Sequence, residues 1–319
     1  MHTERPDNGP AARSGSLTAA KRVFVRDNVG QAGYACRVSS TAASSSSSGP
    51  ELGDEPPPFD ITVAHPARVY DYWLGGKDNY AADRAAGDRV IELRGDDVLH
   101  GVRANRRFLG RAVRYLVERE GIRQFLDIGT GLPSANNTHE VAQAAAPDSK
   151  IVYVDNDPIV LAHARALLTS MPQGKTAYIS ADLRDMEKIL SEAAETLDWE
   201  QPVALMFLMT LQYIPDEEDP HAIVRRYVDA LPPGSFLLVS DTTLENDDEV
   251  LAESTRRLNA GMAGRVTQTR RSNAEVARFF DGLDLVEPGI TTPHHWNPGP
   301  DEPNQGNDMP ARCGLARVS

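Results

Sequence analysis

The chain has 319 residues, a net charge of −13, 40% hydrophobic residues and two cysteines. This composition is ordinary for a globular protein with enough chain to bury a core. No apolar run reaches the roughly 18 residues of a membrane-spanning helix. Cys36 and Cys313 cannot build a disulfide framework, which favours a reducing cytoplasm. A pI near 5.1 disfavours broad nucleic-acid binding, so we expect a small molecule or a protein as partner.

The first 58 residues differ in composition from the rest of the chain. Residues 39–49 are nearly all Ser, Thr and Ala, and three prolines follow at 56–58. Such a stretch lacks the apolar residues that would offset the entropy of ordering it. The apolar patch at 23–25 is too brief for a signal peptide. We predict a disordered extension or a misplaced translation start over residues 1–58, and one folded domain over 59–319.

Helix and strand patterns alternate within that domain. Apolar residues at helical spacing predict a helix over 108–117, and Asp157 with Pro158 predicts the start of a second helix that runs to about 170. Short apolar runs predict seven strands, at residues 125–128, 151–154, 177–179, 203–209, 235–240, 283–286 and 312–318. Alternation of this kind predicts an α/β fold with a doubly wound, mostly parallel sheet. Residues 59–120 would form a helical cap segment before a Rossmann-like core over 121–319.

The first predicted strand ends in a loop with two glycines, Asp127-Ile128-Gly129-Thr130-Gly131-Leu132-Pro133. Ligands of such sheets bind beyond the carboxyl ends of the strands. Gly129 and Gly131 allow a tight turn and let a ligand touch the main chain. Asp127 can accept hydrogen bonds from an ammonium group or from loop amides. Two glycines alone, however, are equally typical of a strand-to-helix turn that binds nothing.

Carboxylates also end the next two predicted strands. Asp155 stands where an acidic side chain can accept two ribose hydroxyls, whereas Asp157 is better placed to cap the following helix. Asp182 could accept an adenine amino group, with Leu183 packed on the ring. Three acidic strand ends in succession suit a nucleoside that carries positive charge and no phosphate.

The loop after the first strand also distinguishes between two cofactors. A dinucleotide would require a Gly-x-Gly-x-x-Gly loop with free amides that face the pyrophosphate. Here Pro133 removes one amide and Asp127 would repel the anion. The pattern therefore favours S-adenosylmethionine over NAD.

Three segments carry a family resemblance: Pro66-Ala-Arg-Val-Tyr-Asp-Tyr-Trp-Leu-Gly-Gly-Lys-Asp-Asn-Tyr80, the 127–133 loop, and Val154-Asp-Asn-Asp-Pro158. Together they resemble the actinobacterial S-adenosylmethionine-dependent methyltransferase family, once classed as a domain of unknown function. The resemblance runs from about Ile61 to the C terminus. It implies a seven-stranded class I methyltransferase fold with an added N-terminal helical segment, and S-adenosylmethionine as cofactor. It implies no particular methyl acceptor.

The 70–80 segment admits two interpretations. Its helix either docks an aromatic face on the core or forms a lid that excludes water from the cofactor. With the lid included, the predicted cofactor-binding residues are Asp127, Gly129, Thr130, Gly131, Asp155, Asn156, Asp182, Leu183, Tyr72, Gly76 and Lys77.

The chain departs from the family pattern at two histidine positions. A Leu-His-aromatic triplet is replaced by Leu211-Gln212-Tyr213, and a Ser-His pair by Ser240-Asp241. Both positions are expected on the rim where an acceptor approaches, so Gln212, Tyr213 and Asp241 are the candidate catalytic residues. The loss of both histidines argues against a histidine base. It favours either a changed substrate or a protein that binds the cofactor without turnover.

Other chemistries find less support in the sequence. His139-Glu140 lacks the second histidine of a zinc protease helix, since Gln143 occupies that position, and no metal site is predicted. We therefore predict methyl transfer from S-adenosylmethionine to a small-molecule acceptor, without nucleic-acid or membrane partners. The alternatives are a non-catalytic S-adenosylmethionine-binding regulatory or partner module and an NAD-dependent oxidoreductase.

Overall fold

The computed structural model describes residues 60–160, 162, 171–244, 248–299 and 309–319. The predicted extension over 1–58, with Cys36, lies outside the described residues. The helix predicted from Pro158 begins at that residue. Residues 161 and 163–170, which make up most of the rest of the predicted helix, lie outside the described residues. Among the described helices, none is long and apolar enough to span a membrane.

Three helices precede the sheet in the part of the chain that starts at residue 60: α1 Pro66–Leu74, α2 Ala81–Arg94 and α3 Asp97–Glu118. Helix α1 has proline at its start and ends at Gly75, whose left-handed backbone (φ 83°) terminates it. At the start of helix α2, Asp83 Oδ2 accepts from the Tyr80 amide at 2.8 Å. The apolar stripe predicted over 108–117 is the buried face of α3. The predicted N-terminal helical extension is thereby confirmed.

The described residues form a seven-stranded sheet in the order β3-β2-β1-β4-β5-β7-β6. The strands are β1 Gln124–Ile128, β2 Lys150–Asp155, β3 Lys175–Ser180, β4 Ala204–Leu208, β5 Phe236–Thr242, β6 Asp284–Leu285 and β7 Ala311–Arg317. Strands β1 to β5 pair in parallel, whereas β7 is antiparallel to both β5 and β6. The mostly parallel sheet is confirmed, with β7 making it mixed. The strand order reverses between β1 and β4, which is where such folds bind ligands.

Helices follow most of the strands. They are α4 Thr138–Ala145, α5 Met186–Ala193, α6 Pro220–Asp229, α7 Glu249–Gly261 and α8 Asn273–Ala277. One apolar cluster, with Phe207 and Tyr227, covers one face of the sheet, and a second, with Phe108, Phe125 and Trp296, covers the other. Because both faces are buried, the carboxyl ends of the strands remain for a ligand to approach.

Candidate functional site

A cavity of about 430 Å³ lies at the carboxyl ends of β1, β2, β3 and β4. Its volume falls in the usual range of small-molecule sites, about 300–1,000 Å³. Eight of the predicted cofactor-binding residues and one rim candidate line it: Asp127, Gly129, Thr130, Gly131, Asp155, Asn156, Asp182, Leu183 and Tyr213. The structure thus brings together the ends of strands that are separated in sequence.

The loop after β1 requires glycine at its first turn. Gly129 has a φ of 72°, and its amide donates to the Val154 carbonyl at 2.8 Å. A Cβ at this position would lie 2.3 Å from Thr210 Oγ1, so both the backbone conformation and the space exclude a side chain. The turn brings the Gly131 amide within 2.8 Å of the Asp155 carboxylate.

Asp155 organises this loop and still has free capacity to accept hydrogen bonds. It is 8% exposed, and its two oxygens accept from the amides of Gly131 (2.8 Å) and Asp157 (2.9 Å). A carboxylate offers about four lone-pair sites, so about two remain for a ligand. Burial raises the pKa of Asp155, while the two amides act in the opposite direction. Asp157 in turn accepts from the Ile159 amide at 2.9 Å, as a cap of the next helical turn.

Asp127 carries an unfavourable buried charge beside the loop. Burial raises its pKa to about 6, and the neighbouring charge of Asp155 acts in the same direction. The Thr138 hydroxyl donates to Asp127 Oδ2 at 2.7 Å and offsets part of this effect. A cationic ligand group near Asp127 would be stabilised, and an anionic group would be repelled.

Asp182 differs from the other two carboxylates because it is half-buried and already ion-paired. Arg184 Nη1 lies 2.7 Å from Asp182 Oδ2, and the Arg184 amide donates to Asp182 Oδ1 at 2.9 Å. Arg184 also pairs with Glu218, so these three side chains form a connected series along the cavity wall. Sequence reasoning missed Arg184, although its position two residues after Asp182 on the same strand end was an available signal.

The position of helix α1 suits either interpretation of the 70–80 segment, and the lid over the cofactor stays a prediction. One of its faces lines the cavity with Pro66, Ala67, Tyr70, Asp71 and Leu74. The opposite face packs against α2. There Tyr72 Oη donates to Asp88 at 2.5 Å and Trp73 Nε1 donates to the Gly87 carbonyl at 3.4 Å.

The turn after α1 lies beyond the cavity wall. Gly76 and Lys77 are exposed, and neither they nor Tyr72 belong to the residues that line the cavity. The turn is held by Asp71, which accepts from the Asp78 amide at 3.0 Å and from Asn79 Nδ2 at 2.8 Å. The residues of the 70–80 segment that line the cavity are therefore Tyr70, Asp71 and Leu74, and the prediction named none of them as contacts.

Of the three rim candidates, Tyr213 lines the cavity, whereas Gln212 and Asp241 do not. Asp241 is fully buried and accepts from Arg271 Nη1 at 3.0 Å. Burial raises the pKa of Asp241 to about 7, against the opposing effect of Arg271. Burial raises the pKa of Tyr213 to about 12, so this phenol keeps its proton at neutral pH.

Two further contacts connect the helical cap to the site and were missed from the sequence. His65 Nδ1 lies 2.9 Å from Asp157 Oδ2, which connects the start of α1 to the loop after β2. Asn105 Nδ2 donates to Tyr70 Oη at 3.1 Å and Asn105 Oδ1 accepts from Ser240 at 2.8 Å. The signal for Asn105 was a polar residue one helical turn before the apolar stripe of α3. Within the described part of the chain, no group of His, Cys, Asp and Glu is arranged to hold a metal ion.

The fold and this cavity define a class I methyltransferase-like protein. A sequence model of the S-adenosyl methyltransferase family matches residues 53–319, so the chain belongs to that family. A DUF574 family protein from Streptomyces avermitilis has 43% identity, covers 82% of this chain and 99% of its own, and superposes with a TM-score of 0.78. A candidate methyltransferase from Thermobifida fusca has 37% identity, covers 84% of this chain and 100% of its own, and superposes with a TM-score of 0.74. No curated protein matches the chain.

Proposed function

We propose that this protein transfers a methyl group from S-adenosylmethionine to a small-molecule acceptor in the cytoplasm. The observation that carries the proposal is Asp155, which is held rigidly by two loop amides and retains acceptor capacity at the end of β2. Membership of the S-adenosyl methyltransferase family supports the same reading. The cytoplasmic location rests on the cysteine count alone.

The cavity residues fit this cofactor in charge as well as in volume. Gly129 and Gly131 leave room for the methionine portion, and Asp127 would bind its ammonium group. Asp155 would accept the ribose hydroxyls, while Asp182 and Leu183 would hold the adenine. When bound, S-adenosylmethionine supplies a methyl group that its sulfonium has already activated.

The work left to the protein is mainly proximity and orientation. Asp241 is buried behind Arg271, and Tyr213 stays protonated, so neither is suited to remove a proton from an acceptor at neutral pH. The site therefore suits an acceptor whose nucleophile needs no strong base.

The replacement of the two family histidines favours one second candidate, a module that binds the cofactor without turnover. Both positions where the family has histidines, now Gln212 and Asp241, lie outside the wall of the cavity that would hold the cofactor. A screen of cell extract with S-adenosylmethionine, read by mass spectrometry, separates the two functions. Methyl transfer predicts a product heavier by one methylene, whereas the module predicts binding and no product.

Calorimetry with S-adenosylhomocysteine and with NADH tests the cofactor assignment. We expect S-adenosylhomocysteine to bind and NADH to bind at least tenfold more weakly. Asp155→Ala should weaken the binding of S-adenosylhomocysteine by about 100-fold or more, because the substitution removes two hydrogen bonds to a charged group. Asp148→Ala is the matched control, since this exposed carboxylate precedes β2 at the opposite end of the sheet. Equal affinity of the Asp155 variant and the parent would refute the ribose assignment.

A further inference from the structure

A second, smaller cavity of about 70 Å³ adjoins the one described above. Tyr70, Met209 and Tyr213 line both cavities, so they form the wall between them. The smaller cavity lies beyond the ends of β4 and β5 and has room for about five water molecules. Its position is therefore on the side of the larger cavity away from the predicted ribose and adenine contacts.

Two arginines line the smaller cavity without a carboxylate partner among the described residues. Arg270 Nε donates to Thr255 Oγ1 at 2.7 Å and Arg270 Nη1 donates to the Thr243 carbonyl at 3.3 Å. Arg94 ends α2, and the charges of Asp97 and Asp248 act on it without an ion pair. Both side chains are partly buried, and holding two cations at one partly buried site is unfavourable unless an anion joins them.

The two arginines also destabilise each other electrostatically. Burial lowers the pKa of Arg270 to about 10, and the charge of Arg94 contributes in the same direction, whereas the charges of Asp241 and Asp248 act in the opposite direction. The adjacent Arg271 shows the contrast, because its guanidinium pairs with Asp216 and Asp241, each at 3.0 Å. Arg270 and Arg94 thus have the character of an anion site rather than of a structural ion pair.

Three residues that line the same cavity carry buried polar atoms without a hydrogen-bond partner. Thr242 Oγ1, Gln212 Oε1 and Gln268 Oε1 are buried and make no hydrogen bond within the described residues. Gln212 and Gln268 are 4% and 6% exposed. Buried acceptors of this kind are normally satisfied, so they call for a ligand that brings an N–H or O–H donor.

We propose that the smaller cavity recognises the methyl acceptor, and that the acceptor is a small carboxylate bound through Arg94 and Arg270. An N–H or O–H on the same molecule donates to Gln212 or Gln268. The rest of the acceptor then passes the shared wall toward the larger cavity. This inference rests on the proposed function, because it assigns the substrate class of the same site.

A carboxylate suits the cavity better than a phosphate does. Asp97 also lines this cavity, so a carboxylate with one negative charge is repelled less than a phosphate, which carries up to two. The remaining wall is largely apolar, with Val90, Val98 and Leu258, which suits a hydrocarbon body next to the charged group.

Ligand-observed NMR on the full chain tests the inference, with and without saturating S-adenosylhomocysteine. The probes are acetate, benzoate and phenylacetate, their neutral amides, and inorganic phosphate. At least one carboxylate should bind about tenfold or more tightly than its amide. Arg94→Gln and Arg270→Gln should each reduce that affinity about tenfold or more while S-adenosylhomocysteine still binds, which shows that the variants fold. Arg226→Gln, at an exposed arginine, is the matched control and should change nothing.

The outcomes separate this inference from the function on which it rests. If S-adenosylhomocysteine binds and no carboxylate does, or if the arginine variants bind carboxylate as the parent does, the inference is overturned and the proposed function stands. Binding of phosphate in preference to every carboxylate overturns the substrate class. A third outcome is that the parent binds a carboxylate but not S-adenosylhomocysteine, while the arginine variants no longer bind the carboxylate. That outcome supports the anion site and contradicts the proposed function.

Discussion

Replacing Asp127 by Asn should make the free protein more stable and weaken its binding of the cofactor. Burial raises the pKa of Asp127 from 3.8 to about 6. Between these values the folded chain holds a proton that the unfolded chain has lost, so stability falls as pH rises through this window. Above pH 6 the full cost is present, about 3 kcal/mol for roughly two pKa units. An amide has no such charge and can still accept from Thr138.

Urea unfolding at pH 5 and pH 8 measures this effect. We expect Asp127→Asn to exceed the parent in free energy of unfolding by up to about 3 kcal/mol at pH 8 and by about half as much at pH 5. Asp148→Asn, at an exposed carboxylate, should match the parent at both values. Saturating S-adenosylhomocysteine should stabilise the parent more than the Asp127 variant. An Asp127 variant no more stable than the parent at pH 8 would refute the reasoning.

Two other substitutions test the support of the site. Arg271→Met should lower the free energy of unfolding by about 3–5 kcal/mol, because it leaves the buried Asp241 carboxylate unpaired. Adding Asp241→Asn should restore part of the loss, and urea unfolding that shows no recovery would contradict the pairing. Gly129→Ala should lower the melting temperature and should weaken the binding of S-adenosylhomocysteine about tenfold or more, since Cβ would meet a side chain at 2.3 Å. Gly110→Ala, where a Cβ meets nothing within 4 Å, is its control and should unfold at or above the parent's temperature.

The fold could be predicted because its signals are local. Apolar runs mark each strand, and the proline at the start of α1 and the Ser272–Glu275 capping box mark helix ends. The placement of Asp127, Asp155 and Asp182 in one cavity also follows from local signals, because parallel strands end at the same edge of a sheet.

The parts that could not be predicted depend on contacts between distant segments. Asp241 ends a strand like the other acidic residues, yet its carboxylate meets Arg271, so it is buried rather than presented to the cavity. The rotation of α1 turns Tyr72 toward α2 and Tyr70 toward the cavity, and this depends on how the two helices pack. Sequence periodicity specifies which residues share a helix face but not which neighbour that face meets.

We propose that the carboxylates at the ends of β1, β2 and β3 bind a cationic nucleoside that carries no phosphate. A crystal structure of the protein grown with S-adenosylmethionine tests it most directly. We expect both ribose hydroxyls on Asp155, the ammonium group beside Asp127 and the adenine between Asp182 and Leu183. Density for the cofactor outside this cavity, or with the ribose away from Asp155, would contradict it.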